Sequence, residues 1–557
     1  MLYPISNKYR DLYNLNGIWR YRFVPDDYVP IEEAKNTEPM AVPSSFNEIV
    51  TDGAKKCYSG KVLFERYFSI PLRKDRIYRL RIGATSHKCE IYLNGKKLGE
   101  GINGFYPIDL PLYDLKEINR LTVVIDNRLT QHTLPNGRII DGKQHIRHDF
   151  YNYTGIHRDV LVYSLSEKHI EDVVIKTVVD GDYRKVKVEI SGEYDSLRLK
   201  VIDEKGKEVV DTDESCFSID EPILWEVGNP YLYTLVVETD SDEYREEFGI
   251  RKIEVKDGKF LVNDKPVYFK GFGMHEDFYV IGRANNPAVT LRNFECMKWI
   301  NANSFRTSHY PYSEQTLELA DRYGFLVIDE VPAVGMVNWE KCFGEGGADE
   351  QTLALHKSLI KELYERDKNH PSVVMISVSN EPMTTEKESK AYFKEIFDYT
   401  HRYWDRPITF VEAWSADNSY VAEFSDVLCV NRYLGWYSDH GDLSVIEGQL
   451  TKDLTDFHDK YGKPIILTEF GADTVEGAHS LPAETFSEDF QALYIEENCN
   501  ALDKLDFCIG EHVWNFADFK TNQGLNRVCG NRKGVFTKDR QPKMVAYYLK
   551  KRWSKKI

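Results

Sequence analysis

The feature that most constrains the fold is a repeated strand-then-helix pattern across residues 256–557. Short apolar runs alternate there with longer amphipathic stretches, which is typical of a parallel sheet with helical crossovers. The eight predicted strands are 268–271, 304–306, 326–329, 373–378, 408–411, 427–430, 465–467 and 509–513. About 300 residues with eight such units predict a (β/α)8 barrel with loop insertions.

Amphipathic stretches between these strands predict the helices of the barrel. They cover residues 289–300, 313–323, 352–367, 389–403, 444–461 and 487–505. A doubly wound sheet is the competing architecture. It is disfavoured because no GxGxxG follows the first strand and no GxxxxGK[ST] occurs in the chain.

The sequence before the barrel has the pattern of β-sandwiches. In residues 1–166 short alternating runs are separated by turn signals, as where EIYL at 90–93 precedes Asn94-Gly95. Residues 167–255 show a second set of strands, near 173–179, 185–190, 197–202 and 232–238. A length of about 90 residues suits an immunoglobulin-like domain. The predicted domains are therefore 1–166, 167–255 and 256–557.

Charge and cysteine usage exclude several classes of function. A net charge of −17 argues against a nucleic-acid or anionic-membrane partner, because both require a basic face. The nine cysteines include no CxxC pair and no His partner at metal-binding spacing, so we expect reduced thiols and no metal. The first residues lack the apolar run of a signal peptide, and no stretch approaches membrane-spanning length, so a cytoplasmic location is expected.

Two glutamates directly follow predicted strands of the barrel. Glu381, before Pro382, follows the fourth strand, and Glu469 follows the seventh. Chemistry in such barrels occurs at the C-terminal ends of the strands, and strands four and seven lie nearly opposite each other. Retaining glycosidases hold two carboxyl groups roughly 5 Å apart, one ionised and one protonated. The pair therefore predicts glycoside hydrolysis.

The residues around both glutamates resemble a known family. Asn380-Glu381-Pro382 and Thr468-Glu469-Phe470-Gly471 resemble the acid/base and nucleophile motifs of glycoside hydrolase family 2. The resemblance continues through residues 303–311, 321–324, 152–158, 224–225 and 229–233. It implies that Glu381 is the acid/base and Glu469 the nucleophile, with no cofactor. It also implies a jelly-roll-like, sugar-binding first sandwich and a homo-oligomer.

The segment 524–536, GLNRVCGNRKGVF, bears on the sugar. It resembles the Asn-x-Lys segment with which β-glucuronidases of this family bind the C6 carboxylate, here Asn531 and Lys533, with Arg527 nearby. An ammonium and an amide donor give a carboxylate charge-assisted hydrogen bonds that a neutral hydroxyl cannot match. The resemblance therefore implies exo-acting hydrolysis of β-D-glucuronides to glucuronic acid and an alcohol. A β-galacturonidase or dual-uronide enzyme is the alternative, and a non-catalytic carbohydrate-binding protein is a remote one.

The resemblance also implies roles for further residues. Tyr433 would support the nucleophile by a hydrogen bond. The substrate-binding residues would include Asp149, His275, Asn380, Asn431, Tyr437 and Trp514. The segment 331–352 after the third strand is shorter than in bacterial relatives with a long loop over the pocket, so we expect an open mouth for the leaving group. No further domain is expected after Ile557.

Overall fold

The computed structural model describes residues 1–556, and its first part is a β-sandwich with two short helices, α1 (Phe46–Ile49) and α2 (Gly53–Lys56). Its strands are β1 (Leu12–Asn14), β2 (Gly17–Val24), β3 (Glu38–Val42), β4 (Lys61–Phe68), β5 (Ile77–Ile82), β6 (Thr85–Ser86), β7 (Lys88–Leu93), β8 (Lys96–Gly101), β9 (Ile108–Leu112), β10 (Asn119–Asp126), β11 (Gly137–Ile140), β12 (Lys143–Ile146), β13 (Gly155–Ile156) and β14 (Val160–Leu165). The two main sheets have the orders β1-β14-β5-β9 and β3-β2-β4-β10-β7-β8. Alternate side chains such as Trp19, Phe64 and Leu80 fill the core between them.

A second, smaller sandwich follows. Its strands are β15 (Ile170–Thr177), β16 (Lys185–Gly192), β17 (Leu197–Ile202), β18 (Glu208–Thr212), β19 (Cys216–Ser218), β20 (Trp225–Glu226), β21 (Asn229–Pro230), β22 (Tyr233–Thr239) and β23 (Glu243–Phe248). Sheets β15-β16-β19 and β18-β17-β22-β23 enclose a core that includes Leu199 and Leu235. The buried Trp225 donates through Nε1 to the carbonyl of Asp321, 2.8 Å away, which ties this domain to the barrel.

The predicted closed barrel is confirmed. After the small sheet β24 (Ile253–Lys256), β25 (Lys259–Val262) and β26 (Lys265–Pro266), eight parallel strands close in chain order. They are β27 (Phe269–Gly273), β28 (Ser304–Arg306), β29 (Leu326–Glu330), β30 (Val373–Asn380), β31 (Ile408–Glu412), β32 (Leu428–Asn431), β33 (Ile465–Glu469) and β34 (Cys508–Val513). Each predicted strand end lies within two residues of the observed one. Several strands continue into the polar residues at their C-terminal ends.

Helices surround the barrel, and the predicted ones all form. The barrel helices are α3 (Pro287–Trp299), α4 (Glu314–Tyr323), α5 (Glu350–Asp367), α6 (Glu388–Thr400), α7 (Ser444–Tyr461), α8 (Glu488–Leu502) and α9 (Met544–Trp553). Ser313 and Ser487 cap α4 and α8 by accepting backbone N–H groups with their side chains. The sequence reading did not predict α9, which follows β34.

The first sandwich packs against the loops at the C-terminal end of the barrel. The amide of Asn136 donates to the carbonyl of Val334 over 2.9 Å, and that of Tyr151 donates to Lys520 over 3.0 Å. Arg158 reaches from the sandwich to the carbonyl of Pro311 over 2.6 Å. This contact brings segment 147–153 of the sandwich to the end of the barrel where catalytic residues of such folds lie.

Within residues 1–556, no helix combines the length and apolar character needed to cross a bilayer. The same residues form no group of three or more His, Cys, Asp or Glu side chains that could hold a metal ion. The nine cysteines are free thiols, and six of them are buried.

Candidate active site

A cavity of about 140 Å³ lies at the C-terminal end of the barrel strands, beside the first sandwich. Eight of the predicted site residues line it, namely Asp149, Asn380, Glu381, Tyr433, Tyr437, Glu469, Trp514 and Arg527. Five residues without a predicted role complete the wall, namely Arg147, His148, His309, Val334 and Val337. The cavity therefore combines three carboxylic acids, Asp149, Glu381 and Glu469, with aromatic rings and cations at one end of the barrel.

Glu381 follows β30 directly and has a left-handed backbone conformation, with φ at +48°. A non-glycine residue is held there only at some cost in free energy, and such strain is concentrated at functional sites. The side chain of Asn431 donates to Glu381 Oε1 over 2.8 Å. Burial, and after it the charge of Glu469, raises the pKa of Glu381 to about 7. Glu381 thus keeps its proton up to a pH of about 7.

Glu469, the last residue of β33, is 4% exposed, and donors hold both of its carboxylate oxygens. Arg306 Nη2 donates to Oε1 over 2.5 Å, and the Tyr433 hydroxyl donates to Oε2 over 2.7 Å. Burial, followed by the charge of Glu469, raises the pKa of Tyr433 well above its usual value, so Tyr433 stays a donor. A cation thus holds one oxygen of Glu469 and a hydroxyl holds the other.

Arg306 also serves a second carboxylate. Its Nη1 donates to the two oxygens of Glu330 over 2.9 and 2.8 Å, and His309 Nδ1 lies 2.8 Å from Glu330 Oε1. Burial alone would raise the pKa of Glu330, but Arg306 and then His309 hold it below its usual value. Arg306 is completely buried, so its charge acts on both acids with little screening.

Cations and acids alternate at the side of the cavity formed by Tyr437. The Arg527 side chain donates to Asp149 over 2.9 Å and to the Tyr437 hydroxyl over 2.7 Å. Asn531 Nδ2 also donates to Asp149, over 2.8 Å. The ammonium of Lys533 binds the carboxylate of Asp473 and the Tyr437 hydroxyl. Two carboxylates of the protein therefore occupy the donors that were predicted to bind a substrate carboxylate.

Four predicted site residues lie behind the cavity wall. Lys533 is 0% and Asn531 1% exposed, and they lie behind Tyr437 and Asp149 respectively. Asn431 contacts Glu381, as described, and also accepts a hydrogen bond from Thr468 over 2.9 Å. These three therefore reach the cavity only through the residues that they bind.

His275 is the fourth residue behind the wall. Its ring centroid lies 5.4 Å from that of Trp514, and its Nδ1 lies 3.1 Å from the Tyr310 hydroxyl. Burial lowers the pKa of His275 well below its usual value. In its place His309 lines the cavity, stacked on Trp514 with ring centroids 5.3 Å apart. The direct sugar contact of His275 stays a prediction.

Sequence reasoning gave no role to Arg306, Glu330, His309 or Arg147. Arg306 and Glu330 end β28 and β29, and polar residues at the ends of consecutive barrel strands were the signal that could have identified them. Glu511, an acid on β34, has a different environment. It is fully buried and accepts hydrogen bonds from Arg552, Trp553 and Tyr268, away from the cavity wall.

Family models match all three parts of the chain. The model described as the sugar binding domain of glycosyl hydrolases family 2 matches residues 12–166, and the one described as glycosyl hydrolases family 2 matches 157–251. The TIM barrel domain of glycosyl hydrolases family 2 matches 253–557. The chain belongs to glycoside hydrolase family 2 and is a glycoside hydrolase.

Its relatives include enzymes named β-glucuronidase. The protein from Paenibacillus borealis is 42% identical over 99% of this chain and 98% of its own length, and that from Rattus norvegicus is 38% identical over 99% and 92%. Among solved structures, the uncultured Clostridium sp. β-glucuronidase has a TM-score of 0.96 at 43% identity, with both chains covered completely. The Ruminococcus gnavus β-glucuronidase in complex with D-glucaro 1,5-lactone has a TM-score of 0.93 at 36% identity, with 99% of each chain covered.

Proposed function

We propose that this chain is a retaining, exo-acting β-glucuronidase that releases glucuronic acid and an alcohol from β-D-glucuronides. The observation that carries the proposal is the difference in environment between two carboxyl groups that line the same cavity. Glu381 has a pKa raised to about 7, while both oxygens of Glu469 accept hydrogen bonds. A protonated acid beside an ionised carboxylate is the arrangement that retaining glycoside hydrolysis uses.

In the first step, Glu469 attacks the anomeric carbon and forms a glycosyl ester while the bond from that carbon to the leaving oxygen breaks. Glu381 transfers its proton to the leaving oxygen, and the alcohol departs. In the second step, ionised Glu381 takes a proton from water, whose oxygen displaces Glu469 and releases the sugar with its configuration retained. Tyr433 positions Glu469 through the hydrogen bond of its hydroxyl.

Recognition of the uronate is assigned to the cluster around Tyr437. A substrate carboxylate at this end of the cavity would accept from Arg527, Asn531 or Lys533 after displacing Asp149 or Asp473 from its bonds. Because the cations are already paired, they are preorganised and cost less free energy to desolvate when the substrate binds. A neutral C6 hydroxyl would not compensate for the loss of those ion pairs.

A panel of aryl β-glycosides tests the sugar, and NMR tests the stereochemistry. We expect the glucuronide to be cleaved with a kcat/KM at least about 100-fold above that of the glucoside and galactoside, and β-glucuronic acid to be the first anomer observed. Cleavage of the galacturonide faster than the glucuronide would assign galacturonic acid as the sugar instead. An α anomer as the first product would refute retention. Glucuronide binding without release of the aglycone would favour a non-catalytic binding protein. The expected cytoplasmic location and homo-oligomer stay predictions.

A further inference from the structure

We infer that the leaving-group side of the cavity is a subsite for an anionic substituent, carboxylate or sulfate, with Arg147 as its cation and Trp339 as the ring that holds this cation in place. The inference deepens the proposed function and rests on it. The established family and the proposed reaction leave the leaving group open. The residues of the first sandwich and of the segment after β29 that line the cavity restrict which leaving groups can bind.

The position of the leaving group follows from the position of the acid. Segment 331–349 runs beside Glu381, because the amide of Asn380 donates to Ala333 over 3.1 Å and that of Met383 donates to Met336 over 2.9 Å. Val334 and Val337 of this segment line the cavity. Since Glu381 must reach the leaving oxygen, the leaving group lies along this segment. The cluster of Arg527 and Tyr437 is then the part of the cavity that binds the uronate.

Arg147 supplies a free cation on this side. It is an exposed residue that lines the cavity, and its guanidinium lies 4.7 Å from the centre of the Trp339 ring. Its near neighbour Asp149 is bound to Arg527 instead. Among residues 1–556, no acid forms an ion pair with Arg147. Unlike Arg527 or Lys533, Arg147 can therefore bind a ligand anion without displacing an acid of the protein.

A second cation strengthens the case. The Arg138 guanidinium lies 4.9 Å from the same Trp339 ring, and its hydrogen bonds go to neutral oxygens, those of Asn136 and Gly137 at 2.7 and 2.9 Å and Gly346 at 3.5 Å. Both guanidiniums lie against the same indole, so their like charges repel, and an anion bound at Arg147 would reduce that repulsion. This occurs in a protein whose net charge is −17.

The chemistry of this surface selects an acidic ligand. The guanidinium of Arg147 presents a planar fork of donors that matches a carboxylate or a sulfate. Trp339 is held in place by a hydrogen bond from its Nε1 to the carbonyl of Gly335, 2.8 Å away, and its ring in turn positions the Arg147 guanidinium. An acidic leaving group would engage this preorganised cation, whereas a neutral one would not.

The test compares matched leaving groups. We expect the wild-type protein to cleave carboxyphenyl β-D-glucuronide with a kcat/KM roughly tenfold above that of the neutral carbamoylphenyl compound at low salt. The preference should fall towards one at high salt because the site is exposed. Arg147→Ala should abolish it and Arg147→Lys should restore part of it. The sulfophenyl glucuronide, measured in parallel, shows which anion is preferred.

Arg184→Ala is the matched control. Arg184 is an exposed arginine of the second sandwich, bound to Asp182 at 2.9 Å, and its loss changes the net charge equally. The control should keep the preference for the charged leaving group. Equal cleavage of both compounds by the wild type, or an unchanged ratio in Arg147→Ala, would overturn the subsite while the proposed function stands. Failure to cleave any of the glucuronides would overturn both.

Discussion

Arg306 Nη2 donates to Glu469 Oε1 over 2.5 Å, and the same guanidinium binds both oxygens of Glu330 through Nη1. One buried cation thus joins the ends of β28, β29 and β33. Among residues 1–556, the side chain of Glu381 has no such cation as a hydrogen-bonding partner and accepts only from the amide of Asn431. Burial, and after it the charge of Glu469, raises the pKa of Glu381 to about 7, whereas Arg306 and Tyr433 donate to the two oxygens of Glu469.

The first prediction concerns the pH dependence of activity. Since the pKa of Glu381 is raised to about 7, its proton is lost as the pH rises through that value. We expect kcat/KM for poor leaving groups to fall about tenfold per pH unit above this point. Burial also raises the pKa of Glu412 to about 7, so Glu412→Gln is the control and should leave the alkaline limb unchanged. A fall of kcat/KM above pH 7 that persists in Glu381→Gln would refute the assignment of Glu381 as the acid.

The second prediction follows from the same shift and concerns stability. The folded-state pKa of Glu381, about 7, lies above its ordinary value of 4.5, so the folded protein binds more protons between these values. The protonation of Glu381 therefore stabilises the folded state fully below pH 4.5. This contribution to the free energy of unfolding declines by about 3 kcal/mol as the pH rises to 7. Glu381→Gln should therefore raise the unfolding free energy at pH 8 and change it little at pH 4.5, as measured by denaturant titration.

The third prediction concerns the support of Glu469. Tyr433→Phe removes the hydroxyl that donates to Glu469 Oε2 over 2.7 Å. A hydrogen bond to a charged group contributes about 1.5–3 kcal/mol, so kcat should fall roughly 10- to 100-fold. KM for the glucuronide should change little, because the hydroxyl is already bound to the protein. A rise in KM with unchanged kcat would instead assign Tyr433 to substrate binding.

The fourth prediction concerns the buried pair of Lys533 and Asp473, which are 0% and 1% exposed. Lys533→Ala leaves Asp473 buried without its cation, so the free energy of unfolding should fall by about 3–5 kcal/mol. Selectivity for glucuronide over glucoside should also be lost.

The double variant Lys533→Ala/Asp473→Asn separates these two effects. It removes the uncompensated charge and should recover stability but not selectivity. Selectivity that returns in the double variant would show that Lys533 acts only through the fold.

The fifth prediction separates a structural acid from the catalytic ones. Glu511 on β34 accepts hydrogen bonds from Arg552 and Trp553 of α9 and so holds that helix against the barrel. Glu511→Ala leaves Arg552 with one acidic partner fewer, and we expect the melting temperature to fall by several degrees. The kcat/KM of the folded fraction should stay near that of the wild type, and a loss of more than about tenfold would contradict a purely structural role.

Much of the fold could be predicted because its signals are local. The alternation of apolar runs with amphipathic helices identified all eight strands, and Glu381 and Glu469 could be placed at strand ends by sequence order alone. Helix α9 was missed because its segment follows the last strand, where no repeat remained to define it.

The sequence by itself determined the three-part architecture, the pair of glutamates and the presence of Asn531, Lys533 and Arg527. Only the tertiary structure decided that Arg306 binds Glu469, that Lys533 lies behind Tyr437 on Asp473, and that Arg147 of the first sandwich faces the cavity unpaired. The physical reason is that charge pairing and burial depend on residues far apart in the chain. A sequence shows which charges a protein carries, whereas their partners and their pKa values follow from where folding brings them.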